Sequence, residues 1–326
     1  MASIGLDYSI NLWQNLTSPE PKVRKTINFT RTITHVDWSP DSKYLLVNLG
    51  HDTIRPNLTP EINLVDVESG EILFKRRNKT DTHYVHATAI GWFSDSERFL
   101  TALDDGVYCV WNVQGEVVRE YAVEKNMAAS HMRMIPGKDQ AVVTTKDFTV
   151  EIISFSDNLT TRQLDQLTTL TTTSTVSLDG TYLALGFKAD KELHRPAQIA
   201  LYDLNTMSFL KFYEADTYTN DAFVIIPAFV GPNQELLCAG SETGKLHFWD
   251  IESGEVIAVL EEHSMHAGCT AVNPHHPGML ASCSDDNLII IWATKDLQHE
   301  FQDEDEKWLG EHRPAAMPVL EIKKNW

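Results

Sequence analysis

His263, Ser282 and Asp286 are the residue types of a nucleophile relay, and Trp292 follows close behind them. A hydrolase of that kind needs its serine on a sharp, strained strand-to-helix turn that exposes the hydroxyl. Here Ser282 lies inside the apolar run GMLASCS, and Asp286 lies in the polar turn Asp285-Asp286-Asn287 that ends it. The pattern suits a closed hydrogen-bonded chain instead: a turn carboxylate orients an imidazole, and a hydroxyl and an indole N–H complete it. Buried polar groups must be paired, so four such groups at fixed offsets around apolar strands specify turn geometry rather than reactivity.

Other residues with chemical potential are weaker still. GSETGK, at 240–245, looks like a phosphate-binding loop. Such a loop needs four residues between its glycines, a Ser or Thr after the Lys, and a following helix. This one has three between the glycines, Leu246 after Lys245, and a strand-like LHFWD beyond, so Gly244 reads as a hairpin residue. The pairs His83 with His86, His263 with His266, and His275 with His276 could each begin a metal site, but no third ligand converges on them and HExxH and CxxC are absent. No pair of carboxylates is singled out by spacing for acid–base work. No cofactor, no metal and no catalytic residue is expected.

The elements around these residues explain them better. AGCTAV, GMLASCS and LIIIW are short β-rich runs bounded by Asn, Asp and Pro, the signature of consecutive hairpins. The last position of that unit recurs as Trp13, Val65, Trp111, Phe155, Tyr202, Trp249 and Trp292, at steps mostly near the ~40–45 residues of a four-stranded repeat. The unit resembles the WD repeat. His263, Ser282, Asp286 and Trp292 stand at the offsets of its structural tetrad; His83, Thr101, Asp105 and Trp111 repeat the set, and Ser3, Asp7 and Trp13 keep three of its four members. The resemblance implies an all-β, seven-bladed propeller over 1–302, with blades near 1–30, 31–79, 83–124, 127–166, 170–214, 221–261 and 263–302, and an acidic, partly apolar tail over 303–326.

Individual repeats depart from the pattern. The first begins in mid-blade, without an inner strand or a His; either an upstream part was lost, the favoured reading, or Met317 to Ile322 returns to fill the place. The second has no tetrad His and carries an insertion at 51–60, the fourth has its Asp147 displaced, and the fifth carries an insertion at 188–198. The sixth holds the literal Trp249-Asp250 pair.

Charge narrows the partners. With 27 basic and 46 acidic residues among 326, the net charge is −19, which disfavours nucleic acid and anionic membranes and leaves basic protein surfaces. No apolar run approaches the roughly 20 residues of a membrane span, and the first residues are not a signal peptide. The sequons at Asn15, Asn28, Asn57, Asn78 and Asn158 then read as chance, and Cys109, Cys238, Cys269 and Cys283 as reduced core thiols of a cytoplasmic or nuclear protein. Turns between second and third strands share a face with both insertions. Asp104, Glu242 and Asp285, with Arg55, His194 and Arg195 in the insertions, therefore form the candidate partner-binding face.

A closer resemblance rests on YLLVNLG with EINLVDVESGEI, on FVGPNQELLCAGSETGKLHFWD, and on NPHHPGMLASCSDD. In this order they look like the propeller of the WD-repeat subunit of the GID (glucose-induced degradation), or CTLH, ubiquitin ligase. The resemblance implies a non-catalytic scaffold that supports complex assembly and substrate recruitment for proteasomal degradation. Family members carry helical LisH and CTLH segments ahead of the propeller, for which this chain has no room. The alternatives are a general adaptor or chromatin-associated histone binder, and, from another class, a propeller enzyme.

Overall fold

The computed structural model describes residues 1–14, 16, 21–50, 60–77, 87–123, 128–145, 147, 149–156, 159–164, 171–294 and 319–320. Among them every regular element is a β-strand. The burial of each strand follows its composition. The runs YLLVNL, RFLTAL, QAVVTT, YLALGF and LLCAG are buried at nearly every position, which requires cover on both faces of a sheet. KVRKTIN, VVREYA and LTTRQ are exposed at nearly every position, as outermost strands must be to carry so many charged and polar side chains.

These strands assemble in chain order into seven sheets, antiparallel throughout except for the last strand of the seventh, the blades of a seven-bladed β-propeller. Blade one has three strands, β1 (Ala2–Ile4), β2 (Ser9–Gln14) and β3 (Lys22–Asn28). Blade two is β4 (Ile33–Trp38), β5 (Tyr44–Leu49), β6 (Glu61–Asp66) and β7 (Ile72–Arg76). Blade three is β8 (Ala87–Trp92), β9 (Arg98–Leu103), β10 (Val107–Asn112) and β11 (Val117–Ala122), and blade four is β12 (Ala129–Met134), β13 (Gln140–Thr145), β14 (Val150–Phe155) and β15 (Leu159–Gln163). Blade five is β16 (Thr171–Val176), β17 (Tyr182–Phe187), β18 (Gln198–Asp203) and β19 (Ser208–Tyr213). Blade six is β20 (Ala228–Val230), β21 (Leu236–Gly240), β22 (Leu246–Asp250) and β23 (Val256–Leu260). Blade seven is β24 (Ala267–Asn273), β25 (His276–Ser284), β26 (Ile289–Thr294) and β27 (Val319–Leu320).

β27 runs parallel to β26, with Ala293 opposite Val319 and Thr294 opposite Leu320. The segment considered above as a filler for blade one therefore pairs with blade seven. It joins a sheet edge whose N–H and C=O groups need partners, as any edge does.

The chain divides into two compact units, blades one to four and blades five to seven. Within each, successive blades share apolar cores. In the first unit Leu46, Leu64 and Phe74 pack with Trp92, Phe99 and Trp111, whose Phe99 and Trp111 rings stack at 6.1 Å. In the second, Tyr213, Tyr218, Phe229 and Trp249 form the core between blades five and six, and Phe248, Leu280 and Trp292 that between six and seven. A buried aromatic of this size contributes roughly 2–3 kcal/mol by area alone.

A repeated polar device ties the rims of neighbouring blades. The outer strand of one blade donates to a carbonyl in the last turn of the next: Arg24 Nη2 to Glu68 O at 2.5 Å, Arg76 Nε to Gly115 O at 2.8 Å, and Tyr213 Oη to Ile251 O at 2.9 Å. Tyr121 Oη likewise donates to Ser156 O, and Lys211 Nζ to Glu252 O. Turn carbonyls cannot join a ladder, so a side-chain donor from next door satisfies them.

Candidate functional site

Blade seven joins the four groups with which the sequence opened. His263 Nδ1 lies 3.0 Å from Asp286 Oδ2, His263 Nε2 lies 2.8 Å from Ser282 Oγ, and Trp292 Nε1 donates to Ser282 Oγ at 2.8 Å. Only one proton assignment satisfies every group. The indole can only donate, so Ser282 accepts from it and gives its own proton to His263 Nε2, leaving Nδ1–H for the carboxylate. Burial opposes the ionised form of Asp286, but N–H groups of Leu288 and Ser264 and the His263 ring outweigh it and hold the carboxyl below its ordinary value. Ser282 is 1% exposed and its oxygen is engaged by the indole, so it has no path to a substrate carbonyl.

Elsewhere the network is partial. In blade three Trp111 Nε1 donates to Thr101 Oγ1 at 3.0 Å, and Asp105 Oδ1 accepts from Val107 N. His83 lies outside the described residues. In blade one Trp13 Nε1 donates to Ser3 Oγ at 2.8 Å while Asp7 accepts from the Ser9 N–H and hydroxyl. Blade six solves the same problem differently. Ala239 stands opposite His247 where blade seven has Ser282, and the Trp249 indole donates to Glu214 O instead, at 3.0 Å. His247 is fully buried, stacked 5.6 Å from Trp249 with Nε2 2.9 Å from Thr217 Oγ1. Burial, helped by Lys245 and opposed by Glu261, lowers its pKa from 6.5 to about 4.

The turn residues proposed as a partner face have distinct settings. Asp104 is half-buried in the β9–β10 turn of the first unit. Arg55 lies outside the described residues. The remaining four belong to the second unit, where the geometry is informative.

The connection from β19 to β20, residues 214–227, contacts the β21–β22 turn of blade six, where Glu242 N donates to Thr219 O at 3.1 Å. Glu242 pins it: Oε1 accepts the backbone N–H groups of Asp221, Ala222 and Phe223 at 2.8, 2.6 and 2.9 Å. Burial opposes its charge, and those three donors more than compensate, lowering its pKa. Glu242 is thus committed to the chain's own backbone rather than held out for a partner. It presents Phe223 and Val224 to solvent, 48% and 56% exposed. Phe223 stacks on His266 at 4.4 Å, and His266 Nδ1 lies 3.5 Å from the exposed carboxylate of Asp285.

The fifth-blade insertion folds against the same connection. Asp190 and Arg195 exchange backbone hydrogen bonds, Asp190 N to Arg195 O at 3.0 Å and Arg195 N to Asp190 O at 2.9 Å. His194, at φ 52°, makes the tight turn between them. Lys188 Nζ donates to Ala222 O at 2.5 Å and Lys191 pairs with Asp221 at 3.0 Å. Leu193, Met265 and Leu288 are also exposed. Sequence reading singled out the carboxylates and the basic loop, passed over Phe223 and Val224, and weighed His266 only as a metal-site candidate with His263. The apolar run after the polar stretch TYTNDA was the available signal.

Gly244 stands at φ +83° where a Cβ would meet His263 O at 2.4 Å, the hairpin position inferred for it. The model of the WD domain, G-beta repeat, matches residues 254–293, which take in the last strand of blade six and most of blade seven. The chain carries a WD repeat. It is similar to a WD repeat-containing protein WDS homolog of Arabidopsis thaliana, 24% identical over 90% of this chain and 53% of the relative. It is similar to a WD repeat-containing protein 26 homolog of Drosophila melanogaster, 26% identical over 81% of this chain and 39% of the relative. GID complex subunit 7 of Schizosaccharomyces pombe is 24% identical over 65% of this chain and 41% of its own length. The chain thus spans about half, or less, of the length of these relatives.

Proposed function

We propose that this chain is a non-catalytic protein-interaction scaffold, and that its partner face is the turn side of blades five to seven. The observation that carries the reading is the Glu242 clamp. Three backbone N–H groups held by one carboxylate fix the 221–223 stretch of this connection, which holds two neighbouring large apolar side chains, Phe223 and Val224, out to solvent. Large apolar side chains held side by side in solvent are where a partner surface gains by covering them. Asp285, with an exposed carboxylate, borders the patch, so the partner is a protein segment with an apolar anchor next to Lys or Arg, and the strongly acidic chain favours its approach.

The complex we propose is a GID/CTLH-type E3 ubiquitin ligase, in the cytoplasm or nucleus, where the chain supports assembly and substrate recruitment. Similarity to GID complex subunit 7 supports this. The test is affinity purification from native extract followed by mass spectrometry, with wild type beside Phe223→Asp and Asp285→Lys. Recovery of ligase subunits by wild type and their depletion in both variants is the expected result. Recovery of unrelated complexes overturns the ligase assignment, and unchanged recovery in both variants overturns the face.

A further inference from the structure

Cys109 and Cys238 are buried, but Cys269 and Cys283 are exposed, so the reading of all four as core thiols holds for only two. The reason is the alternation of β24 and β25. Thr270 and Ser282 are partners across the two strands and face blade six, where Thr270 Oγ1 donates to Ile226 O. Cys269 and Cys283 are the adjacent pair, one residue along on each strand, and so lie together on the other face.

We propose that Cys269 and Cys283 are a covalent modification site, a cross-strand dithiol that low-molecular-weight disulfides convert to an intramolecular disulfide. The geometry is already set. Directly opposed residues of an antiparallel pair have Cα atoms about 4.5 or 5.5 Å apart, inside the roughly 4.4–6.8 Å that a disulfide spans. The ladder is irregular between Ala267 and Cys269, directly beside the pair. Interaction with the Cys269 thiol first, and desolvation of the sulfur second, push the Cys283 thiol above the ordinary range.

Either sulfur can open the exchange. The thiolate of one cysteine attacks one sulfur of glutathione disulfide, forms a mixed disulfide and expels a glutathione thiolate. The other cysteine then loses its proton and attacks the first cysteine's sulfur, releasing the second glutathione. Two protein thiols are oxidised and one small disulfide is reduced to two thiols. This site goes beyond the scaffold reading and does not depend on it.

The experiment is incubation of the reduced full chain in glutathione buffers of graded ratio, with alkylation, intact mass and peptide mapping. The expected result is a loss of about 2 Da with a Cys269–Cys283 crosslink, while Cys109 and Cys238 are alkylated only after unfolding. Each single replacement, Cys283→Ser or Cys269→Ser, accumulates glutathione on the cysteine that remains. The proposal is overturned if wild type carries separate glutathione adducts on both residues, forms only intermolecular disulfides, or oxidises first at a buried thiol. Both replacements are at exposed positions, and near-UV circular dichroism checks that each variant is folded.

Discussion

Replacing Ser282 by Ala removes one oxygen and leaves two buried groups without partners. That oxygen lies 2.8 Å from both the Trp292 indole nitrogen and His263 Nε2, in a pocket where Ser282 is 1% exposed, so water does not substitute for it. Stranding a buried polar group costs about 1–3 kcal/mol, which puts the loss at about 2–6 kcal/mol, with about 3 as the working figure. Trp292→Phe removes the indole N–H together with some packing. In the double variant the indole no longer needs Ser282, so the two losses overlap. The expected coupling is about 1–2 kcal/mol, beyond the ~0.5 kcal/mol scatter of independent sites. Urea unfolding followed by far-UV circular dichroism measures each corner of the cycle, and hydrogen exchange within β25 and β26 checks that the damage is local to blade seven. Additive losses, or a cost for Ser282→Ala below about 0.5 kcal/mol, would refute the hydrogen-bonded chain as the element that fixes this blade.

Gly240→Ala is expected to cost more than about 2 kcal/mol, because the added Cβ would fall 1.9 Å from the Ala267 carbonyl oxygen in the next blade; thermal unfolding checks it. Glu242→Gln keeps an acceptor but loses the charge that assists three hydrogen bonds, so the connection at 221–223 should open by about 1–2 kcal/mol and be cut sooner by limited proteolysis. Lowering the pH should strain the site around His247: its folded pKa of about 4 lies below the ordinary 6.5, so the stability it contributes is present above 6.5 and lost as pH falls towards 4, by about 3 kcal/mol in all. Asp37 acts in the opposite sense, since burial raises its pKa to about 6, against the pull of Arg133, and its contribution is lost as pH rises through 6. Stability measured from pH 4 to 7 should therefore fall less steeply with acid in His247→Gln and more steeply in Asp37→Asn than in wild type.

Blade seven shows why a WD repeat reads well from sequence. Its strands are short apolar runs, its turns are Asn-Pro and Asp-Asp-Asn, and the tetrad types sit at fixed offsets, so local pattern and tertiary arrangement carry the same information. Blade six shows the limit. Its Trp249 looks like the same anchor, but with Ala239 in place of a serine the indole turns to a backbone carbonyl of the preceding connection, a partner 35 residues away. Backbone acceptors leave no mark in a sequence. The candidate face was legible only in part, for a related reason. Glu242 and Asp285 occupy corresponding turn positions and read as equivalent carboxylates, yet one is taken up by three N–H groups of a neighbouring connection and the other is exposed.

Apart from β27, the order of strands, the repeat length, the acidic charge and the polar chain of blade seven follow from the sequence by itself, because each depends on residues near one another along the chain. The tertiary structure alone decided which side chains of the 214–227 connection stand out to solvent, which carboxylate is committed, and which two of four cysteines share an open face. Those outcomes depend on what packs against each segment from another blade. Alternation along a strand says only that neighbouring side chains point to opposite faces, and cover by the next sheet determines which face is the inside.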